Sequence, residues 1–317
     1  MSSILTNTSA MNALQALRTV NTNLETSQDR ISSGLKVSSG KDNAAYFQIS
    51  ETMKGDSSAF SSINEGLSLT KNSISTARLG AETIQDLSQQ FLDKVAFAQG
   101  ATGGHGEIEN DLLELVKQME STLSQSTFNG DDMLGAGSYS DAVTASTGVT
   151  VGSVAPADGA LTTSANNDTS VGATRNVVTG VGRAGGTYAA TTMAVDTHDM
   201  ATLVANFKVI ATGFESNATS ATGAAFLSGV LASTEGVVGN VTDIATKLGQ
   251  AETAIEGQQE FLSALTDTLD SGVSAMIDAD MEEEAARLQA YQVQQQLATQ
   301  SLSIANQQPQ NVLSLFQ

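Results

Sequence analysis

The chain has 317 residues and a formal net charge of −20, which argues against nucleic acid or an anionic membrane as partner, since both need basic surface. It has no cysteine, which excludes disulfides and thiolate metal sites, and no tryptophan within an aromatic content of 4%, which leaves few large anchors for a compact globular core. The 40% apolar content is carried by Ala, Leu, Val and Ile, a composition that suits long helices packed along narrow seams.

Residues 4–35 read as one helix, with Leu14, Leu17, Leu24, Ile31 and Leu35 on a row of alternating three and four steps that Asn21 and Gln28 complete. Asn21 and Gln28 fall where the seam should be apolar, and polar seam residues fix register and partner choice at a cost in stability. Gly34 should end this helix. A short helix is expected over about 43–55, followed by a long one marked by Phe60, Ile63, Leu67, Thr70, Ile74, Ala77, Ala81, Ile84, Ser88, Phe91, Val95 and Ala98. At 1.5 Å per residue this second helix is roughly 60 Å long. Four glycines between Gly100 and Gly106 stop it. A third helix carries Ile108, Leu112, Leu115, Met119 and Leu123 on one face and ends before the turn Thr127-Phe-Asn-Gly130.

Residues 138–232 lose this order and are rich in Thr, Ala, Gly, Val and Ser. Short strands are expected over 149–154, 174–181 and 187–195, and a helix over about 199–212 with Leu203, Phe207 and Ile210 on its face. Helical order resumes by about 233 with Val241, Ile244, Leu248, Ala251, Ile255, Gln258, Leu262, Leu265, Leu269 and Met276. Asp278-Ala-Asp280 reads as a break and N-cap for a terminal helix carrying Met281, Leu288, Tyr291, Ala298, Leu302 and Ala305. Pro309 should end that helix and leave an apolar tail with Val312, Leu313, Leu315 and Phe316. The fold class is therefore mainly α: an antiparallel helical bundle or coiled-coil rod built from both ends of the chain, with a small α/β or β-rich domain inserted. The expected division is 1–36 with 281–317, 37–137 with 233–280, and 138–232.

Charge is uneven. Residues 1–137 hold 16 acidic and 9 basic residues, 138–232 hold 6 and 3, and 233–317 hold 12 and 2. Glu282, Glu283 and Glu284 are the densest acidic run, read as a solvated first helical turn favoured by the helix dipole. No stretch approaches the ~20 apolar residues of a membrane span. The first residues lack a positive region followed by an apolar core, so no cleavable secretory signal is expected.

Catalytic signals are weak. His105 and His198 are too distant in sequence for a local zinc motif, and His-Glu-x-x-His is missing; both read as surface or turn residues. Gly34 to Lys41 departs from a phosphate-binding loop in glycine spacing, places Asp42 where Ser or Thr should be, and follows a helix instead of a strand. No cofactor, metal or enzymatic activity is expected.

Three motifs carry a family resemblance. Arg30-Ile-Ser-Ser-Gly-Leu-Lys-Val-Ser-Ser-Gly-Lys-Asp-Asn-Ala-Ala45 resembles the N-terminal signature of bacterial flagellin, Thr127-Phe-Asn-Gly130 a turn of its N-terminal region, and Ala305-Asn-Gln-Gln-Pro-Gln-Asn-Val-Leu-Ser-Leu-Phe316 its C-terminal tail. The resemblance covers roughly 1–137 and 233–317. It implies a secreted, extracellular subunit of the flagellar filament for swimming motility, self-assembling through its terminal helices, with the central domain facing outward. It also implies export by the flagellar type III apparatus, an export chaperone, and junction and cap proteins as further partners. Subunit assembly is assigned to Leu14, Leu17, Leu24, Ile31, Leu35, Leu288, Tyr291, Leu302, Val312, Leu313, Leu315 and Phe316. Where flagellins sensed by the mammalian Toll-like receptor carry an Arg-rich stretch, this chain has Gln89, Gln90, Asp93 and Lys94. The alternatives are a hook–filament junction protein and a secreted adhesin or immune ligand on a helical stalk.

Overall fold

The computed structural model describes residues 7–135, 154–155, 158–159, 171–182 and 189–314. Among them are seven helices and one two-stranded antiparallel sheet. The helices are α1 (Thr8–Ser33), α2 (Ala44–Gly100), α3 (His105–Gln125), α4 (Met200–Ala211), α5 (Phe214–Ala218), α6 (Gly223–Ile277) and α7 (Met281–Ser314), and the strands are β1 (Val171–Gly182) and β2 (Ala189–His198). The chain forms two compact units, one of residues 1–58 with 265–317, the other of 59–264.

The first unit is built on local signals that the chain supplies at each helix end. Asn7 caps α1 by accepting from the Ala10 amide, and Gly34 closes it in the left-handed conformation (φ 72°), where a side chain would be strained. Asn43 caps α2 through the Ala45 and Tyr46 amides, and Asp280 caps α7 through those of Glu282 and Glu283. The two connections meet. Lys36 and Val37 donate their amides to the Ile277 carbonyl, Ala279 donates to that of Gly34, and Leu35 bridges Asp278. Val37, Val273 and Ile277 form a small buried cluster there, with Phe47, Met53 and Met276 packed against it.

The second unit holds the main core. Leu67, Thr70, Ile74, Ala77, Ala81, Ile84, Ser88, Phe91, Val95 and Ala98 of α2 are all buried, as are Ile108, Leu112, Leu115, Met119 and Leu123 of α3, so the three-four spacing marks the inward faces. Phe207 of α4 packs edge-on against Phe91 with ring centroids 5.0 Å apart, and Phe214 packs on Phe226 at 5.8 Å. The α4–α5 segment therefore shares one core with α2, α3 and α6. The turn at 127–131 is closed by reciprocal backbone bonds between Phe128 and Asp131. Asn129 (φ 50°) and Gly130 (φ 80°) supply the positive φ values that a type I′ turn requires. Asp131 then accepts from Ser73 Oγ at 2.6 Å and pairs with Arg175, joining α2, the turn and β1.

One flank of the α2/α6 pair is polar at regular spacing. Asn64 meets Ser263 (3.2 Å), Lys71 meets Glu256 (2.7 Å), Arg78 meets Glu252 (2.6 Å) and Gln85 meets Thr242 (3.3 Å). Each step of seven along α2 is matched by a step of seven back along α6, except at Arg78. There the matching position is Gly249, and a Cβ added to it would sit 3.8 Å from Arg78 Cδ, so the guanidinium passes over the glycine to reach Glu252.

Several expectations change. The short helix over 43–55 and the long one after it are one element, because the intervening Gly55 and serines are compatible with helical backbone and Ser57 is fixed by a 2.8 Å bond to Asp270. Helix α6 starts at Gly223, well before 233. Its buried Phe226, Leu227, Val230, Val237 and Val238 keep helical spacing among Gly, Ala and Ser that mask it. Part of α6 is apolar enough over 18 residues to match a membrane span by composition, and 44% of that window is buried, in keeping with a core helix. Helix α7 continues through Pro309 to Ser314. Both histidines are buried, at 7% and 3% exposure, not on the surface: His105 opens α3 on its inward side, and the His198 amide is bonded to the Met133 carbonyl. The strands expected over 174–181 and 187–195 are present as β1 and β2. That over 149–154 lies outside the described residues except for Val154.

Candidate functional site

The terminal pair, α1 with α7, is where the site residues gather. Leu17, Leu24 and Ile31 are half-buried on the face of α1 that also holds Ala13, Val20 and Ser27. On α7, Leu288, Tyr291, Ala298 and Leu302 are half-buried on the face that holds Glu284, Gln295 and Ala305. Both rows keep strict three-four alternation, the signature of a coiled-coil seam. Leu35 lies in the connection after α1, bridged to Asp278. Leu14 is more exposed, at 39%. Val312 and Leu313 fall within α7, whereas Leu315 and Phe316 lie outside the described residues.

The seam is crossed by polar contacts that prove the pairing antiparallel. Asn7 Nδ2 donates to the Ala305 carbonyl (2.8 Å), Gln295 Nε2 donates to Asn21 Oδ1 (2.8 Å), and Ser27 Oγ and Arg30 Nη1 donate to the two oxygens of Glu284 (2.7 and 3.1 Å). Asn21 thus stands in the seam as the sequence predicts. Gln28 does not: it is exposed, and its neighbour Ser27 takes the inward place. The acidic run also divides. Glu282 and Glu283 face solvent, with Glu283 paired to Arg287, but Glu284 is buried at 6% exposure because its partners reach it from α1. Burial pushes its carboxyl up, and the bonds from Ser27 and Arg30 with the charges of Arg30 and Arg287 outweigh this and hold it below the ordinary 4.5. Ser27, Gln295 and Glu284 are the seam residues that apolar periodicity passes over; their only sequence signal is their place in the three-four row.

The signature loop has a physical reading at each place. Arg30 reaches Glu284, Gly34 turns the chain, Val37 enters the small cluster, and Asn43 starts α2. The Asp42 carboxylate accepts from the amides and hydroxyls of Ser38 and Ser39, at 3.1 to 3.2 Å. The Ser39 hydroxyl and Ser38 amide chiefly lower its affinity for a proton. This carboxylate is used up in building the loop.

Outside the seam the pair presents further apolar side chains. Met11, Val293, Leu297 and Ile304 are all more than half exposed. Val293, Leu297 and Ile304 recur at helical spacing and form a second stripe on α7.

In the second unit, Gln89, Gln90, Asp93 and Lys94 are exposed on α2, and Lys94 is paired with Asp111 at 2.6 Å. A groove of about 400 Å³ lies between α2 and β1, lined by Ile63, Gly66, Thr70, Val177 and Val178, and the Arg175 beside it is paired with Asp131. Among the described residues no three His, Asp or Glu side chains converge as a metal set.

Residues 4–138 match the model of the bacterial flagellin N-terminal helical region, and residues 231–316 that of the C-terminal helical region. The chain is 35% identical over 322 residues to Flagellin C of Rhizobium meliloti (strain 1021), covering 100% of both chains. It is 35% identical over 320 residues to a flagellin of Brucella melitensis biotype 1, covering 100% of this chain and 99% of the relative. It is 31% identical to Flagellin A of Rhizobium meliloti over 404 residues, with 100% of each covered.

Proposed function

This chain belongs to the bacterial flagellins, the filament subunits of the bacterial flagellum, and we propose that it polymerises through the outward apolar stripes of α1 and α7. The observation that carries this reading is that the terminal pair has more apolar surface than it covers by itself. One row is spent on the seam between α1 and α7; Met11, Leu14, Val293, Leu297 and Ile304 are left over. A further copy of the same pair offers apolar surface to cover them, and contacts between different faces of identical subunits extend into an open filament where the rotation between copies does not close a ring. Leu17, Leu24, Ile31, Leu35, Leu288, Tyr291 and Leu302 then serve assembly by holding the pair together. Val312, Leu313, Leu315 and Phe316 are assigned to assembly with them.

In this reading residues 1–36 and 281–317 form the inner core of the filament, 37–137 and 233–280 a surrounding layer, and 138–232 the outward part. The protein acts by assembly, without a chemical step. Its further partners are the type III export apparatus, an export chaperone and the junction and cap proteins, and its place is outside the cell. The exposed α2 segment of Gln89, Gln90, Asp93 and Lys94 lacks an Arg-rich pattern and its cation is paired with Asp111, so weak activation of the mammalian Toll-like receptor is expected. Full potency in a receptor reporter assay overturns that expectation.

Seeded polymerisation followed by negative-stain electron microscopy tests the assembly reading. The parent should give long filaments, and chains lacking 1–36 and 281–317, or carrying Leu297→Glu with Ile304→Glu, should give none. Undiminished filaments from the double variant would remove the stripe from the interface. Short capped rings from the parent would favour a junction protein. Deleting 138–232 is a poor comparison, because it strips Phe207, Phe214 and Phe226 from the core.

A further inference from the structure

We infer that Asn7 keeps the end of α7 helical by supplying the hydrogen-bond donor that Pro309 lacks. In an α-helix the amide of residue 309 donates to the carbonyl of residue 305, and proline has no amide hydrogen to give. Helix α7 nevertheless runs through Pro309 to Ser314. The Ala305 carbonyl, on a residue only 9% exposed, accepts instead from Asn7 Nδ2 at 2.8 Å, across 298 residues of sequence. The other end of the same amide is also committed, since Asn7 Oδ1 accepts from the Ala10 amide at 3.0 Å. Both partners are backbone groups, one able only to accept and the other only to donate, so the orientation of the Asn7 amide is fixed by its surroundings.

The consequence is a coupling between the two ends of the chain. With α1 in place, the orphaned carbonyl is satisfied and the chain continues as helix past the proline. With α1 away, Ala305 loses its donor, and the proline becomes the terminator that its chemistry favours, releasing residues 310–314 from the helix. Asn7 is thus a positioning residue for the C-terminal segment, which is helical or extended according to whether α1 is docked. This rests on the assembly reading only for the material tested, filaments in which α1 and α7 are paired.

Hydrogen–deuterium exchange on filaments of the full chain tests it, with filament formation by the parent checked first by microscopy. That check concerns the assembly reading alone. Asn7→Asp keeps the cap on α1 and removes the donor to Ala305. It should raise exchange in the peptide holding 310–314 by roughly five- to tenfold, the factor that one net hydrogen bond implies. Peptides from 67–98 should not change. Pro309→Ala restores the helical amide and should abolish the effect of Asn7→Asp in the double variant. A variant that does not assemble is scored by whether Pro309→Ala restores assembly. Unchanged exchange in Asn7→Asp, an equal rise in the Pro309→Ala background, or no rescue by Pro309→Ala overturns the inference.

Discussion

Ser27 Oγ donates to Glu284 Oε2 at 2.7 Å within the seam of the terminal helices, joining residues 257 apart in sequence. A buried carboxylate is tolerated when its oxygens are bonded and costly when they are not. Ser27→Ala removes one donor and leaves the charge in place, so the terminal pair should lose about 1–3 kcal/mol. Thermal dissociation of filaments, followed by light scattering, measures it. The same carboxyl makes the pair acid-sensitive. Its folded proton affinity is depressed, so its contribution is fully present above the ordinary value of 4.5 and is lost as pH falls through the lower folded value. Glu284→Gln should flatten that part of the profile, and an unchanged acid profile would assign the sensitivity to other groups.

His198 gives the second unit a different pH dependence. It is buried, its Nδ1 has no hydrogen-bond partner, and burial together with the charge of Lys247 holds its proton affinity below the ordinary 6.5, against the opposing charge of Asp196. The unfolded chain therefore binds the proton more readily than the folded one. Stability due to the neutral ring is present above 6.5 and declines as pH falls toward the folded value. Chemical denaturation of the full chain between pH 7.5 and about 5 should show this slope, and His198→Leu should lessen it. An equal slope in the variant would rule the residue out.

Two glycines of α2 should respond to alanine with opposite sign. At Gly80 an added Cβ would lie 1.9 Å from Ser126 Oγ and 2.6 Å from Ser126 Cβ, so the turn after α3 must move. Gly80→Ala should cost about 1–3 kcal/mol. Gly66 is exposed with nothing within 4 Å of the same position. Gly66→Ala should stabilise by about 0.5–1 kcal/mol through helix propensity alone. Calorimetric melting of the two variants, run in parallel, gives both signs.

Much of the fold is legible in the sequence wherever one rule acts alone. Leu67 to Ala98 are inward-facing because every place in the row is small or apolar, and no other force competes. The terminal site is harder to read. Ser27, Glu284 and Gln295 occupy seam places with polar groups, and their partners come from the opposite end of the chain, so hydropathy alone places them outside. Pro309 is the sharpest case. A proline stops a helix by a local rule, and that rule is overridden by an asparagine 298 residues before Ala305, which local patterning does not see. The start of α6 was hidden for another reason: Gly223 to Val238 mix small residues with the buried Phe226 and Val230, diluting the periodic signal.

The polar flank of α2 and α6 has a bearing on alignment. Rungs that recur every seven residues look alike after a slide of one repeat, so most of them measure phase without fixing position. The Arg78 rung is different, because its counterpart is a glycine. A slide one way sets Arg78 against Thr242 and Lys71 against Gly249, stranding the guanidinium away from Glu252. The other way sets it against Glu256, whose own side chain fills the room that the glycine leaves. The missing side chain at 249 is the origin mark on an otherwise uniform scale.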